Sequence, residues 1–133
     1  MPVFQVHIPA GRYSKEQKKV LGQALNQSLV VALGIPPGDR FIMISEHAED
    51  ELFIDPEFMG MRRSADAIIV TVLIGAHRPF EDKKILLATM SRLLHEAVGI
   101  APDDLFVALI PVPNENFSFG RGVAQLAGAQ AQW

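Results

Sequence analysis

The chain of 133 residues suits one domain and is long enough to bury roughly two thirds of the surface its unfolded form exposes. A hydrophobic content of 49% argues against disorder, and a net charge of -3 without a lysine- or arginine-rich run leaves no electrostatic footprint for nucleic acid. The absence of cysteine removes disulfides, zinc thiolates and thiol nucleophiles, and with no signal-like N-terminus and no apolar run near the ~20 residues of a membrane span, a soluble cytoplasmic protein is expected.

Pro2 stands just ahead of a strand-like run, Val3-Phe4-Gln5-Val6-His7-Ile8. Removal of Met1, usual before a small residue, makes Pro2 a secondary amine at the tip of a folded strand. An α-amino group titrates near ~7.7–8.0, and burial or a neighbouring cation lowers that value, so such an amine can serve as base or nucleophile at neutral pH. Ser14-Lys15-Glu16-Gln17 fits a capping box, after which Val20, Leu21, Ala24, Leu25, Leu29 and Ala32 recur at helical spacing up to Gly34. Phe41 to Ile44 reads as a returning strand. The stretch from His47 to Arg63, acidic and then rich in Phe and Met, reads either as a pocket-covering loop or as a hairpin touching a neighbouring subunit. Ala67 to Ile74 is almost continuously apolar, the pattern of an interior strand. Pro79 suits a helix start, Ile85, Leu86, Met90, Leu93, Leu94 and Ala97 form a stripe, and Gly99 ends it. Leu105 to Ile110 is the last strand.

The chain repeats itself. Gly34-Ile35-Pro36-Pro37-Gly38-Asp39-Arg40-Phe41 returns as Gly99-Ile100-Ala101-Pro102-Asp103-Asp104-Leu105-Phe106, a shift of 65 positions. The same shift carries Glu16-Gln17-Lys18-Lys19 onto Glu81-Asp82-Lys83-Lys84. The repeats, about 2–46 and 67–112, each read strand, helix, strand, and a β-α-β crossover makes the two strands of each copy parallel. This predicts an α+β fold: a four-stranded mixed sheet with both helices on one face, built as a single domain. A pseudo-twofold axis puts the strands from Val3 and Ala67 side by side and antiparallel. Gly75-Ala76-His77-Arg78 then approaches Pro2 from one side, and Asp39-Arg40 from the other. The second face of the sheet, taken as Ile68, Val70, Val72 and the residues alternating with Phe4, needs cover, most simply from other copies of the chain.

These residues resemble the tautomerase superfamily with an amino-terminal proline, and most nearly its malonate semialdehyde decarboxylase-like branch. The resemblance covers the whole chain: Pro2, Gly11-Arg12, Gly34-Ile35-Pro36 leading to Asp39-Arg40-Phe41, the strand into Arg78 with Glu81 and Lys83, Pro102-Asp103-Asp104, and Ser118-Phe119-Gly120-Arg121-Gly122 after Phe117. It implies a homotrimer of subunits like macrophage migration inhibitory factor, no cofactor, and a small carboxylate as substrate; separately, no His, Asp and Glu grouping in the sequence has metal-ligand spacing. By position, Pro2 is the catalytic amine, a neutral base in tautomerases and a cationic acid in the decarboxylase and dehalogenase branches. Asp39 matches the carboxylate that activates water or holds polar contacts. Arg78 matches the second of two carboxylate-gripping arginines, and Ala76 stands where the first would be, which weakens the case for decarboxylation.

Each site residue also has a structural reading. Asp39 has a repeat counterpart in Asp104 and so partly shapes a turn, whereas Arg78 has Tyr13 as counterpart, an asymmetry that favours a site role. His77 is a donor that replaces the missing arginine's contact. Arg121 reaches a ligand or pairs with a carboxylate; Phe117 and Phe119 wall the pocket or, the favoured reading, pack an interface. His7 and His47 are read as structural. The function expected is cofactor-independent tautomerisation of a small 2-keto or enol carboxylate through Pro2. The alternatives are a decarboxylase- or dehalogenase-like hydratase using Asp39, and a trimeric small-molecule binder without turnover.

Overall fold

A computed structural model describes residues 2–128. The elements run β1 (Val3–Pro9), α1 (Lys15–Leu33), β2 (Phe41–His47), β3 (Ile68–Gly75), α2 (Phe80–Val98) and β4 (Leu105–Val112). The shift that carries Gly34 onto Gly99 also carries both ends of α1 onto both ends of α2. α1 begins as its sequence dictates: the Ser14 hydroxyl accepts from the Gln17 N–H at 3.1 Å, and the Gln17 side chain accepts from the Ser14 N–H at 2.8 Å. Gly34 and Gly99 close the two helices in the left-handed region, at φ 67° and 72°. Pro79 sits one residue earlier than a helix-opening proline, as the N-cap of α2.

The sheet order is β2-β1-β3-β4, with β1 parallel to β2, β3 parallel to β4, and the two central strands antiparallel. This is the expected mixed sheet with both helices on one face. Strand alternation assigns that face to Phe4, Val6, Ile8, Ile68, Val70, Val72 and Ile74, all buried under α1 and α2. Here the expectation needs correcting: Ile68, Val70 and Val72 lie beneath the helices, and the open face carries Val3, Gln5, His7, Ile69, Thr71 and Leu73. A continuously apolar strand does not reveal which parity faces the core. Two stripe residues of α2 are likewise outside the core, Ile85 at 50% exposure and Ala97, while Leu86, Thr89, Met90 and Leu94 are buried.

On the open face His7 Nδ1 and His47 Nε2 lie 2.7 Å apart, within hydrogen-bond reach across β1 and β2. Lys18 reaches over the β2 edge to Glu46, and that hydrogen bond holds the Glu46 carboxyl below the usual carboxylate range.

The segment after β2 is neither a hairpin nor a cover for its own chain's Pro2. It makes short 3-10 turns at Glu49–Glu51 and Phe58–Gly60 and is tied to the start of β4, with Arg62 N–H donating to Asp103 (2.8 Å) and Ser64 N–H and hydroxyl donating to Asp104 (2.7 and 2.6 Å). Arg63 donates to the carbonyls of Asp55 and Phe58, which closes the loop on itself. The whole segment lies at the far end of the sheet from Pro2, a strand's length of about 20 Å away.

Candidate functional site

β1 starts with Val3 paired to Phe41 of β2 and to Leu73 of β3. Pro2, buried, therefore lies one step beyond the paired stretch, level with Arg40 on one side and Ile74 on the other. The expectation that Met1 is removed falls on a residue outside those described. Two turns flank this end of the sheet. In the first, the Asp39 N–H donates to the Pro36 carbonyl at 3.0 Å, and the half-buried Asp39 side chain keeps Oδ1 shielded from solvent. In the second, the Ala76 N–H donates to Val112 of β4 (3.0 Å) and the Arg78 N–H to Gly75 (3.3 Å), turning the chain from β3 into α2.

Gly75 is a glycine for a spatial reason. A β-carbon there would stand 2.6 Å from Cε1 and 2.7 Å from Nδ1 of His77, so the imidazole folds back over the bare backbone. Arg78 comes next, its side chain only 8% exposed. Its Nη1 donates to Asp82 Oδ2 at 3.2 Å, one helical turn on, while its Nη2 is buried with no hydrogen-bond partner among the described residues. An unsatisfied buried guanidinium nitrogen is expensive to leave unmade and marks the place where an anionic ligand would be most strongly held.

The C-terminal segment crosses toward the same end. It leaves β4 beside Gly75 and brings Phe119 to Phe41, ring centroids 5.8 Å apart. Its glycine-rich turn is closed by Gln125, which accepts from the Phe119 N–H and donates to the Gly120 carbonyl, both at 2.9 Å. Arg121 adopts φ 62°, a left-handed conformation costly for a side-chain-bearing residue, and points an exposed side chain outward. Arg121 forms no ion pair among the described residues, and the half-buried Phe117 makes only a turn hydrogen bond to Asn114. The chain fold thus gathers Pro2, Asp39, His77, Arg78 and Phe119 at one sheet end and leaves Arg121 and Phe117 on its rim. Sequence reasoning missed the Phe41 partner of Phe119 and the Asp82 partner of Arg78; the Arg–Asp spacing of four across a helix start was the available signal for the latter.

The opposite end of the sheet holds the repeat counterpart of this arrangement. A cleft of about 380 Å³ there is lined by Arg12, Tyr13, Gln17, Ser64, Asp66 and Asp104. Ala67 stands in the place of Pro2, and its backbone N–H donates to Ser64 at 3.3 Å. Asp104 is spent on Ser64, and Arg12 pairs with Asp66 at 2.6 Å. Half-burial, then the Asp66 and Asp104 charges, push the Tyr13 hydroxyl above its ordinary value of 10.0. Among the described residues no group of three His, Cys, Asp or Glu could hold a metal ion, and no helix is long and apolar enough to cross a membrane.

Two family models, each described as "Tautomerase enzyme", match residues 39–120 and 2–62. Among curated proteins, the probable tautomerase YusQ of Bacillus subtilis (strain 168) is 29% identical over 126 residues, covering 95% of this chain and 98% of that protein. Among solved structures, a malonate semialdehyde decarboxylase, studied as a structural basis for decarboxylase and hydratase activities, is 31% identical and superposes with a TM-score of 0.88, over 97% of this chain and 99% of that one. A fused 4-OT symmetric trimer shares the fold at 23% identity, with a TM-score of 0.79 over 96% of this chain and 99% of that one.

Proposed function

Because the chain belongs to the tautomerase family, we propose that it is a cofactor-independent enzyme that interconverts the enol and keto forms of a small 2-keto carboxylate, with Pro2, freed by loss of Met1, as the proton carrier. The observation that carries this reading is the orphaned Nη2 of a nine-tenths-buried Arg78 at the end of the sheet where β1 begins. Arg78 holds the substrate carboxylate through Nη2. The neutral Pro2 amine accepts the proton of the 2-hydroxyl as the enol C=C electrons move toward C3; the resulting ammonium returns the proton to C3. One O–H bond breaks, one C–H bond forms, and the amine is regenerated. Asp39 and His77 supply polar contacts around the reacting oxygen, and Phe119 on Phe41 walls the pocket against water.

Assembly as a homotrimer covers the open sheet face of Val3, Ile69 and Leu73, and brings the strongly exposed Phe53, Phe58 and Met59 of the linker against a neighbour. A second reading has one observation in its favour, the half-buried Asp39 carboxylate flanking Pro2. There a cationic Pro2 acts as acid and Asp39 activates water, giving hydration or decarboxylation.

Ketonisation of the enol of phenylpyruvate, followed by loss of enol absorbance, tests the first reading. Pro2→Ala keeps an amine but changes its basicity and rigidity, and turnover should fall by about 10²-fold or more. Undiminished turnover overturns the role given to Pro2. Titration of the amine separates the readings, with a value below neutrality expected for a base and one well above it for an acid.

A further inference from the structure

Building on the reading of Arg78 as the carboxylate anchor, we infer that Asp82 is a positioning residue which clamps one nitrogen of Arg78 and so fixes the guanidinium with its unpartnered Nη2 held for the ligand. Arg78 precedes Pro79, the N-cap of α2, so its long side chain springs from a turn rather than from the helix that could hold it. A guanidinium so placed has many rotamers to lose on binding. Asp82 removes that freedom in advance: it sits in the first turn of α2, four residues on, and its Oδ2 accepts from Nη1 at 3.2 Å.

Burial divides the two partners. The Arg78 side chain is 8% exposed and the Asp82 side chain 35%, so the carboxylate retains solvent while the guanidinium is enclosed. With one Nη1 hydrogen on Asp82 and Nη2 buried without a partner among the described residues, the guanidinium plane is fixed and Nη2 is the nitrogen left with both hydrogens for a ligand. Ala76, on the same turn, offers no second cation for a fork. Asp82 also offsets part of the Arg78 charge. The inference therefore separates two effects of one residue: its geometry favours binding, and its charge opposes binding of an anion.

That separation makes the test specific. The probes are benzoylformate, a 2-keto carboxylate with no α-proton, for equilibrium binding by calorimetry, and the enol of phenylpyruvate for turnover. Asp82→Ala frees Arg78 and should weaken benzoylformate binding and raise KM about tenfold, with kcat changed less than about threefold. Asp82→Asn keeps an acceptor oxygen for Nη1 and loses the charge, so binding should equal or exceed that of the parent chain. Asp82→Glu should restore most of what alanine loses. Glu81→Ala removes a first-turn acidic residue that pairs with Lys84 and not with Arg78, and should lower the melting temperature as Asp82→Ala does without altering KM.

Equal effects of Ala and Asn, or a KM change for Glu81→Ala matching that for Asp82→Ala, would overturn the positioning role in favour of a helix-end charge. So would an Asp82→Ala protein that binds benzoylformate as the parent does, or a parent chain that does not bind it. If the parent binds benzoylformate in this Asp82-dependent way but leaves the enol unchanged, the tautomerase reading fails and the positioning role stands.

Discussion

Asp39 and Asp104 occupy equivalent turns, and a matched pair of substitutions decides which carboxylate does chemistry. Each backbone N–H closes the same turn, Asp39 onto Pro36 at 3.0 Å and Asp104 onto Ala101 at 2.9 Å, so asparagine, nearly the same shape, leaves both turns intact. Asp104 is 5% exposed and accepts two short hydrogen bonds from Ser64. In Asp104→Asn the amide oxygen keeps the Ser64 N–H, and the amide nitrogen donates to the Ser64 hydroxyl oxygen, whose own hydrogen turns to solvent. Two charge-assisted bonds of about 1.5–3 kcal/mol become two neutral ones of about 0.5–1.5, a loss near 2 kcal/mol in all. For a chain of this size that is a fall in melting temperature of about 6–10 °C. Turnover should stay within about twofold, because Asp104 lies a strand's length from Pro2. Asp39→Asn should lower kcat/KM about 10²-fold for the enol substrate, the usual contribution of a charged group at the reacting atoms. Thermal melts followed by circular dichroism and steady-state kinetics on the same preparations read both. An Asp39→Asn protein that keeps its activity and loses only stability, as Asp104→Asn does, refutes the assignment of Asp39 to the site.

Tyr13 supplies a pH test. Its hydroxyl titrates above 10.0 in the folded chain, chiefly through burial, so its contribution is fully present below the unfolded value and is lost as pH rises toward and through the folded one. Tyr13→Phe should therefore lessen the fall in urea midpoint between about pH 9 and pH 11, and an unchanged alkaline slope would assign that limb to other groups. Gly75→Ala forces His77 off the backbone it covers, at under about 1 kcal/mol because an exposed imidazole can swing aside. Its kcat/KM should match that of His77→Ala, about three- to tenfold below the parent; full activity in both removes His77 from the ligand. Ile69→Lys places a charge at the centre of the open sheet face, and light scattering should then find a monomer in place of a trimer; a trimer that persists would show that this face is not the interface.

Much of the fold was legible because it is written twice. One shift aligned the two helix-ending glycines and the two turns, and with parallel crossovers that alone gave the sheet order and brought three separated segments to Pro2. What failed to show was parity and context. Ala67 to Ile74 carries no polar alternation, so the sequence could not say that Val70 faces the helices and Ile69 does not. Ile85 and Ala97 fit the helical period, but Ile85 lies outside the arc that α2 buries and Ala97 lines an open groove between α1 and α2, which the period alone does not reveal. The linker's Ser64 hides its tie to Asp104, a contact 40 residues away, and Asp82 reads as an ordinary helix-end acidic residue until Arg78 is seen to be enclosed. The C-terminal turn has no period at all; Phe117 and the run Ser118-Phe119-Gly120-Arg121-Gly122 stood out by resemblance, and of these the structure gives a packing partner to Phe119, which meets Phe41.

The asymmetry between the two ends follows from what a duplicated strand can and cannot keep. Ala67 is an interior residue, so its nitrogen is an amide that already donates to Ser64, with no lone pair to take a proton. The linker that makes it interior then fills the space around it, spending Asp104 on Ser64 and seating Arg12 on Asp66. With no amine to serve, no enclosed cation is required there, and Tyr13 and Gln17 stand where Arg78 and Asp82 stand at the other end. An orphaned guanidinium nitrogen costs stability unless a ligand offsets it, and among the described residues one is found, at the end of the sheet that carries Pro2. The cost and the proline coincide in space although they come from opposite halves of the sequence, and that coincidence is what supports the proposed role of Arg78.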